Sequence, residues 1–392
     1  MTKPALTQSV PPPGRPGIVQ TALPFLRREW PLLISVATMA LFLLFGHDWL
    51  ADLSNPFWFA FMLVFPFSVI MQSSFAVVRH AEGLAVRLGE PLGTLVLTLA
   101  VTGIEVTMIA AVMYSGNGNS ALARDAMFAV VMIVLNGMVG LSLLLGGLRH
   151  REQTYNLQGA NAFLAVIVPL SVLGLVLPTF TVSVPGPILS PTQSAFLIIM
   201  SLGLYGVFLA IQNVRHKDYF MEPVAADAGN GHSAGDHDGH KAHSIAYHIP
   251  LLLAYLGPVV FLAEEIAIPI NHGIHSLHAP PSLGGFLVSV LVLSPESLSA
   301  VRAALANHLQ RAVNLLLGSV LASISLTIPA VLTIGYFTHQ TIVLGLDAVD
   351  TILLLLTLGV STLTFASART NVLLGVVHLL LFLAYLMLIF EK

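Results

Sequence analysis

Along this 392-residue chain, apolar positions come in long continuous runs, with no helical or strand period inside them. A run of about 20 apolar residues matches the hydrocarbon thickness of a bilayer. Such runs predict helices over 31–46, 57–77, 92–114, 126–148, 160–180, 193–213, 247–269, 284–305, 312–336, 342–365 and 370–390. The stretches 46–56, 115–124, 149–158, 181–191 and 271–282 gather Gly, Pro, Asn and charges and read as loops, and 214–244 is a long hydrophilic one. The first residues form a polar tail with a proline-rich segment at 10–16, expected to be disordered rather than a signal peptide.

Composition agrees with the pattern. Hydrophobic residues make up 56% of the chain and charged ones only 9%, against about a quarter charged in a soluble domain. The expected fold is therefore an all-α polytopic membrane protein of about eleven transmembrane helices. It divides into a 1–29 tail, a first helix and loop over 30–56, a first half-repeat over 57–213, a His/Asp-rich linker over 214–246 and a second half-repeat over 247–392. Absence of cysteine removes disulfides, thiolate metal sites and cysteine nucleophiles. A net charge of −3 argues against nucleic acid as a partner.

Basic residues orient the spans. With the N-terminus inside and strict alternation, Lys3, Arg15, Arg27, Arg28, Arg79, Arg87, Arg149, Arg151, Arg215, Lys217, Lys241, Arg302, Arg311 and Arg369 fall on the cytoplasmic side. Only Arg124 and Lys392 of the 16 basic residues fall outside. Positive charge is retained on the cytoplasmic face, so the N-terminus is placed inside and the C-terminus outside, as a multi-pass protein of a bacterial inner membrane.

Two carboxylates sit near the middle of predicted spans: Glu105 and Glu296. An ionised side chain there costs about 2.5–3.5 kcal/mol even on the lenient insertion scale, so it faces a cavity and marks a function. Each follows a hydroxyl residue, Thr102 or Ser294, with a helix disruptor between, Gly103 or Pro295. Pro295 has no N–H, which leaves the carbonyl of Leu291 free as a cation ligand. Both following helices carry Asn-x-x-x-Gly, as Asn136 to Gly140 and Asn314 to Gly318, with Ser319 next. The two segments run in opposite directions, so the halves are expected to be inverted-topology repeats that meet at a mid-membrane site. The expected cation shell is Thr102, Ser294, Leu291, Asn136, Asn314 and Ser319. The Glu264-Glu265 pair reads as an interfacial feature.

At these segments the chain resembles the calcium/cation exchanger superfamily, and within it the bacterial ChaA-type calcium (sodium/potassium)/proton antiporters. The resemblance runs from about residue 70 onward. It rests on the stretch from Val78 to Gly93 with Glu82, on the Glu105 helix and on Gly147. In the second half it rests on Leu293-Ser-Pro-Glu296 with Asn307, on Gln310 to Ser319, and on Arg369 to Gly375 with Asn371. Plant- and yeast-type relatives carry Gly-Asn-x-x-Glu in both repeats; the Glu matches Glu105 and Glu296, whereas Thr102 and Leu293 stand at the Asn positions.

The resemblance implies a secondary antiporter in which Ca2+ and protons compete for Glu105 and Glu296, with Na+ or K+ as the alternative cargo and a cation channel as a more distant one. No enzyme motif is present, and no cofactor is expected beyond the transported cation. Glu82, Asn307, Asn371 and His378 are secondary candidates, the last as a proton relay. The linker residues His232, Asp236, His237, Asp238, His240 and His243 are candidate ligands for a regulatory metal. His272, His275 and His278 have ligand-like spacing in a loop, and 79–90 reads as an amphipathic segment at the cytoplasmic interface.

Overall fold

The structure, a computed structural model, describes residues 27–88, 100, 102–110, 120–222 and 244–391. The candidate metal ligands of the linker, His232 to His243, and the tail up to residue 26 lie outside the described residues. The described residues form eleven helices. These are α1 (Trp30–Ala51), α2 (Pro56–Leu88), α3 (102–110), α4 (Leu122–His150), α5 (Leu157–Phe180), α6 (Pro191–Arg215), α7 (Ile245–Ser276), α8 (Ser282–Leu305), α9 (Leu309–Thr338), α10 (Ala348–Thr364) and α11 (Val372–Phe390). Nine of them are long and apolar enough to cross a membrane. Each predicted run has its helix, because in lipid only internal backbone hydrogen bonding satisfies every N–H and C=O.

Local chemistry sets the ends. Ser190 and Gln193 form a reciprocal capping box at the start of α6, with Pro191 in the first turn. Asn156, Asp347 and Asn371 cap α5, α10 and α11 by accepting from backbone N–H groups two or three residues on. Inside α4 and α5 the spiral widens to π-turns over Met132–Met138 and Val172–Val176.

Connections cluster at two ends. At one, a short β1 (Gln153–Thr154) pairs antiparallel with β2 (Arg369–Thr370). There too the His150 ring meets the Leu305 carbonyl at 2.9 Å, Gln153 donates to Ala304 O at 2.8 Å, and His308 meets Glu222 at 2.7 Å. At the other end, Val343 N donates to Ser120 O at 2.9 Å and Gly345 N to Pro187 O at 3.0 Å. Each of these contacts joins connections that a strict alternation of eleven helices puts at the same end.

The middle of the bundle is α4 and α9, which are buried over most of their length, while α1, α6 and α11 show most of theirs to the surroundings. Glycine lets α4 and α11 touch. A Cβ at Gly375 would lie 2.5 Å from Leu144 N and 2.9 Å from Gly140 O. Gly140 on α4, which has no side chain to keep the two backbones apart, permits this approach.

Three sequence expectations are corrected. The 79–90 segment is not a separate surface element: α2 runs on to Leu88, and Val78, Ala81 and Leu84 in its last turns are buried. The 271–282 loop is shorter, because α7 continues to Ser276, so His272 and His275 are helical and His272 packs on the Phe59 ring at 5.4 Å. Among the described residues no three His, Asp or Glu side chains converge as metal ligands. Finally, Glu29, assigned to the tail, is 1% exposed.

Gly375→Val tests the α4–α11 contact. Backbone atoms cannot rotate away from the added carbons, so the variant should lose about 1–3 kcal/mol or more, read as a lowered melting temperature of the detergent-purified protein; an unchanged melt would refute the close approach.

Candidate functional site

α9 carries Ser319, Ser323 and Thr327 at intervals of four residues, which stacks their hydroxyls on one face of the helix. Both predicted carboxylates come to this face. Ser323 Oγ donates to Glu105 Oε2 at 2.5 Å, and Thr327 Oγ1 reaches Glu105 Oε1 at 3.4 Å. Ser319 Oγ donates to Glu296 Oε2. Glu105 arrives on α3 and Glu296 on α8, so a single helix of the second half holds one carboxylate from each half. The rungs Ser319 and Ser323 are one turn apart, about 6 Å along the axis.

Burial makes the arrangement consequential. Glu105 is 2% exposed. Among the described residues, neither Glu105 nor Glu296 has a Lys, Arg or His within ion-pair distance. Hydroxyls orient a carboxylate but supply no countercharge, and a buried charge without one is costly. Two partners relieve that cost: a proton or a metal cation. Glu296 lies within electrostatic reach of Glu105, and Glu82 within reach of Glu296. Glu82, in the partly buried end of α2, itself faces Arg311. The three carboxylates thus form a line from the arginine-rich end of the bundle to the hydroxyl face.

Other candidates fall elsewhere. α8 is continuous across Pro295, and Ser294 donates to its own helix at Val290 O, 2.5 Å away, instead of turning to Glu296. Leu291 is buried in a helix that stays unbroken across Pro295. Thr102 is buried one turn before Glu105. Asn314 stands in the second turn of α9, where it donates to Phe220 O at 2.7 Å and accepts from Gln310 at 2.8 Å. It pins the chain leaving α6, a structural task.

Asn136 lies in the π-turn of α4 and joins a different buried network. It donates to Thr357 Oγ1 at 2.8 Å, its Oδ1 meets His378 Nδ1 at 3.3 Å, and His378 Nε2 meets Thr364 Oγ1 at 2.9 Å. The two Asn-x-x-x-Gly motifs are therefore not structurally equivalent: one is mid-helix and one near a helix start. His378 ties α11 to α10 and α4. Asn307 holds a left-handed turn at φ 65° and accepts from Gln153 at 3.1 Å. Asn371 is the α11 cap. Glu264 is exposed, and Glu265 approaches Gly46 of α1.

Sequence reading missed Ser323 and Thr327. Their signal was present as a Ser-x-x-x-Ser-x-x-x-Thr row in an otherwise apolar helix, but a hydroxyl row carries no sign of which residue it faces.

The Asn136–His378 contact predicts a non-additive pair. Asn136→Leu and His378→Phe should each lower the melting temperature, with a coupling of about 0.5–3 kcal/mol in the double-mutant cycle. Strict additivity would show that the two act independently.

With this geometry in place, similarity to known proteins is informative. The profile of the "Sodium/calcium exchanger protein" family matches residues 56–214 and 248–391. The protein named "Putative ionic transporter y4hA" of Sinorhizobium fredii is 42% identical over 328 residues, covering 83% of this chain and 88% of that protein. The sodium-potassium/proton antiporter ChaA of Escherichia coli is 40% identical over 321 residues, covering 82% and 86%. Among solved structures, native YfkE superposes with a TM-score of 0.69 at 17% identity, over 92% of this chain and all of that one. The H+/Ca2+ exchanger CAX gives 0.64 at 14%, over 93% and 89%. The family profile spans each five-helix half, including both glutamate helices, and the chain belongs to the sodium/calcium exchanger protein family.

Proposed function

We propose that this protein is a secondary antiporter that moves a cation across the bacterial inner membrane in exchange for protons, by alternating access. The observation that carries the reading is one buried and one half-buried carboxylate on one hydroxyl face, with no cationic side chain within ion-pair distance of either among the described residues. Protonated, Glu105 and Glu296 are neutral and need no metal. Deprotonated, they hold two negative charges that a cation must balance. Ser319, Ser323 and Thr327 keep the carboxylate oxygens oriented in both conditions and offer their own lone pairs to the ion.

The orientation places the arginine-rich end in the cytoplasm. The five helices α2–α6 and the five helices α7–α11 then run as inverted repeats, whose rocking exposes a fixed site to one side at a time. Glu82 stands at the cytoplasmic approach to Glu296 and guides cations toward it. Calcium is the proposed cargo, since two carboxylates balance one divalent ion and hydroxyls, carbonyls and water complete about six to eight oxygens. A second reading is Na+ or K+ exchange. It is favoured by the name of the Escherichia coli relative and by a shell built of hydroxyls without amides. Binding and release require only titration and ion exchange, with no covalent chemistry and no cofactor.

The test uses everted vesicles with an acidified interior and a pH-reporting dye, to which calcium, sodium or potassium is added separately. Proton release with one cation is expected, lost in both Glu105→Gln and Glu296→Gln. Ser323→Ala, which removes one hydrogen bond to a charged group worth about 1.5–3 kcal/mol, should weaken apparent cation affinity roughly 10–100-fold. Proton-linked flux that survives Glu296→Gln would overturn the scheme.

A further inference from the structure

A second buried carboxylate with several partners lies away from the exchange site. Glu29, immediately before α1, accepts from Arg79 Nη2 at 2.7 Å and from His80 Nε2 at 3.2 Å, both on α2. It also accepts from Tyr247 OH at 2.7 Å and Tyr255 OH at 2.9 Å, both on α7. Arg28 Nε is 3.9 Å away. One carboxylate therefore ties three helices, and those helices pack chiefly on one another, more than on the α4–α9 middle. Burial opposes the charge on Glu29, but the two tyrosine hydroxyls, Arg79 and His80 outweigh it and hold the carboxyl below its ordinary range.

Next to this knot two histidines touch. His80 Nδ1 and His248 Nδ1 are 3.2 Å apart, and both rings are buried. The His248 ring occupies the space a side chain would take at Gly83, where an added Cβ would overlap its Cε1.

Proton placement follows from the contacts. An ionised Glu29 is acceptor-only, so His80 Nε2 carries a hydrogen and donates to it. A neutral His80 then has an accepting Nδ1, and His248 Nδ1 donates across the gap. One added proton is tolerated, because the single hydrogen between the rings can sit on either nitrogen. A second cannot be: both Nδ1 atoms become donors at 3.2 Å, and two cations face each other.

From this geometry we infer that the Glu29–His80–His248 knot is a proton-sensing lock on the α1–α2–α7 unit, separate from the exchange carboxylates. It is closed while the histidine pair shares one hydrogen and is opened by acid on the arginine-rich side. Among the described residues, the charged or titratable groups around the pair are Arg28 and Glu29 ahead of α1, Arg79 on α2, and Tyr247 and Tyr255 on α7. Opening frees α1 and loosens the α2 segment that carries Glu82, so exchange slows in acid beyond the competition of protons for Glu105 and Glu296. The link to exchange rests on the antiport reading; the lock itself does not.

The chain has no cysteine, so one introduced thiol reports cleanly. Ser35 on α1 is 0% exposed. In Ser35→Cys protein in proteoliposomes, labelling by a small methanethiosulfonate reagent should rise about tenfold as pH falls below the ordinary histidine value of about 6.5, because burial and the first imidazolium both oppose the second proton. Adding His248→Gln, or independently His80→Gln, should flatten that titration, because the pair can then never carry two imidazolium charges. The exchange rate of protein that keeps His248, divided by that of the His248→Gln variant, should fall along the same curve. Labelling that is indifferent to pH, or a titration that persists in both histidine variants, would overturn the lock. A labelling titration without cation-driven proton flux would keep the lock and sink the antiport reading instead.

Discussion

The structure depends on keeping two carboxylates inside the bundle where, among the described residues, no positive side chain lies within ion-pair distance of them. Glu105 and Glu296 are held by hydroxyls of one helix, Ser323 and Thr327 for the first and Ser319 for the second. Hydroxyls fix geometry and leave the charge unbalanced. In the proposed exchange that imbalance is what a bound proton or cation relieves. An arginine in place of one serine would give a firmer protein with nothing to transport.

Holding such a site requires rigid surroundings, and the middle helices provide them. α9 is buried along most of its length, so its hydroxyl row has little freedom to move. Glycines bring α11 against α4, and the Thr357–Asn136–His378–Thr364 chain ties α4, α10 and α11 through buried hydrogen bonds. Polar networks of this kind give orientation as well as stability when every member is satisfied. Beside this body, α1, α2 and α7 form a unit joined by Glu29. The molecule thus separates a site-bearing middle from a flanking unit that has its own buried, titratable tie.

Several polar residues that looked like site residues serve the scaffold. Asn314 and Asn371 each satisfy a backbone group, Phe220 O and Leu374 N, while Asn307 takes a left-handed turn and accepts from the Gln153 side chain. Amides are well suited to this because they donate and accept at once. The resemblance between Asn136 and Asn314 was one of letters: the first sits in a π-turn at mid-helix and the second in the second turn of α9.

Whatever one residue or one run imposes locally could be read from the order of amino acids alone. Apolar runs dictated the eleven helices, since no other backbone form satisfies itself in lipid. Glu105 and Glu296 were legible because a carboxylate in such a run is too costly to be incidental. Gly140 was legible as a packing position for want of a side chain. Everything that depends on facing waited for the packed bundle. Packing brought Ser323 and Thr327 to Glu105 from more than two hundred residues away, sent Asn136 and His378 to a separate network, and buried Glu29 among α2 and α7. A hydroxyl or an amide is tolerated in many settings, so its identity alone carries little energy; the partner it meets sets its role, and that partner is chosen only when the helices pack.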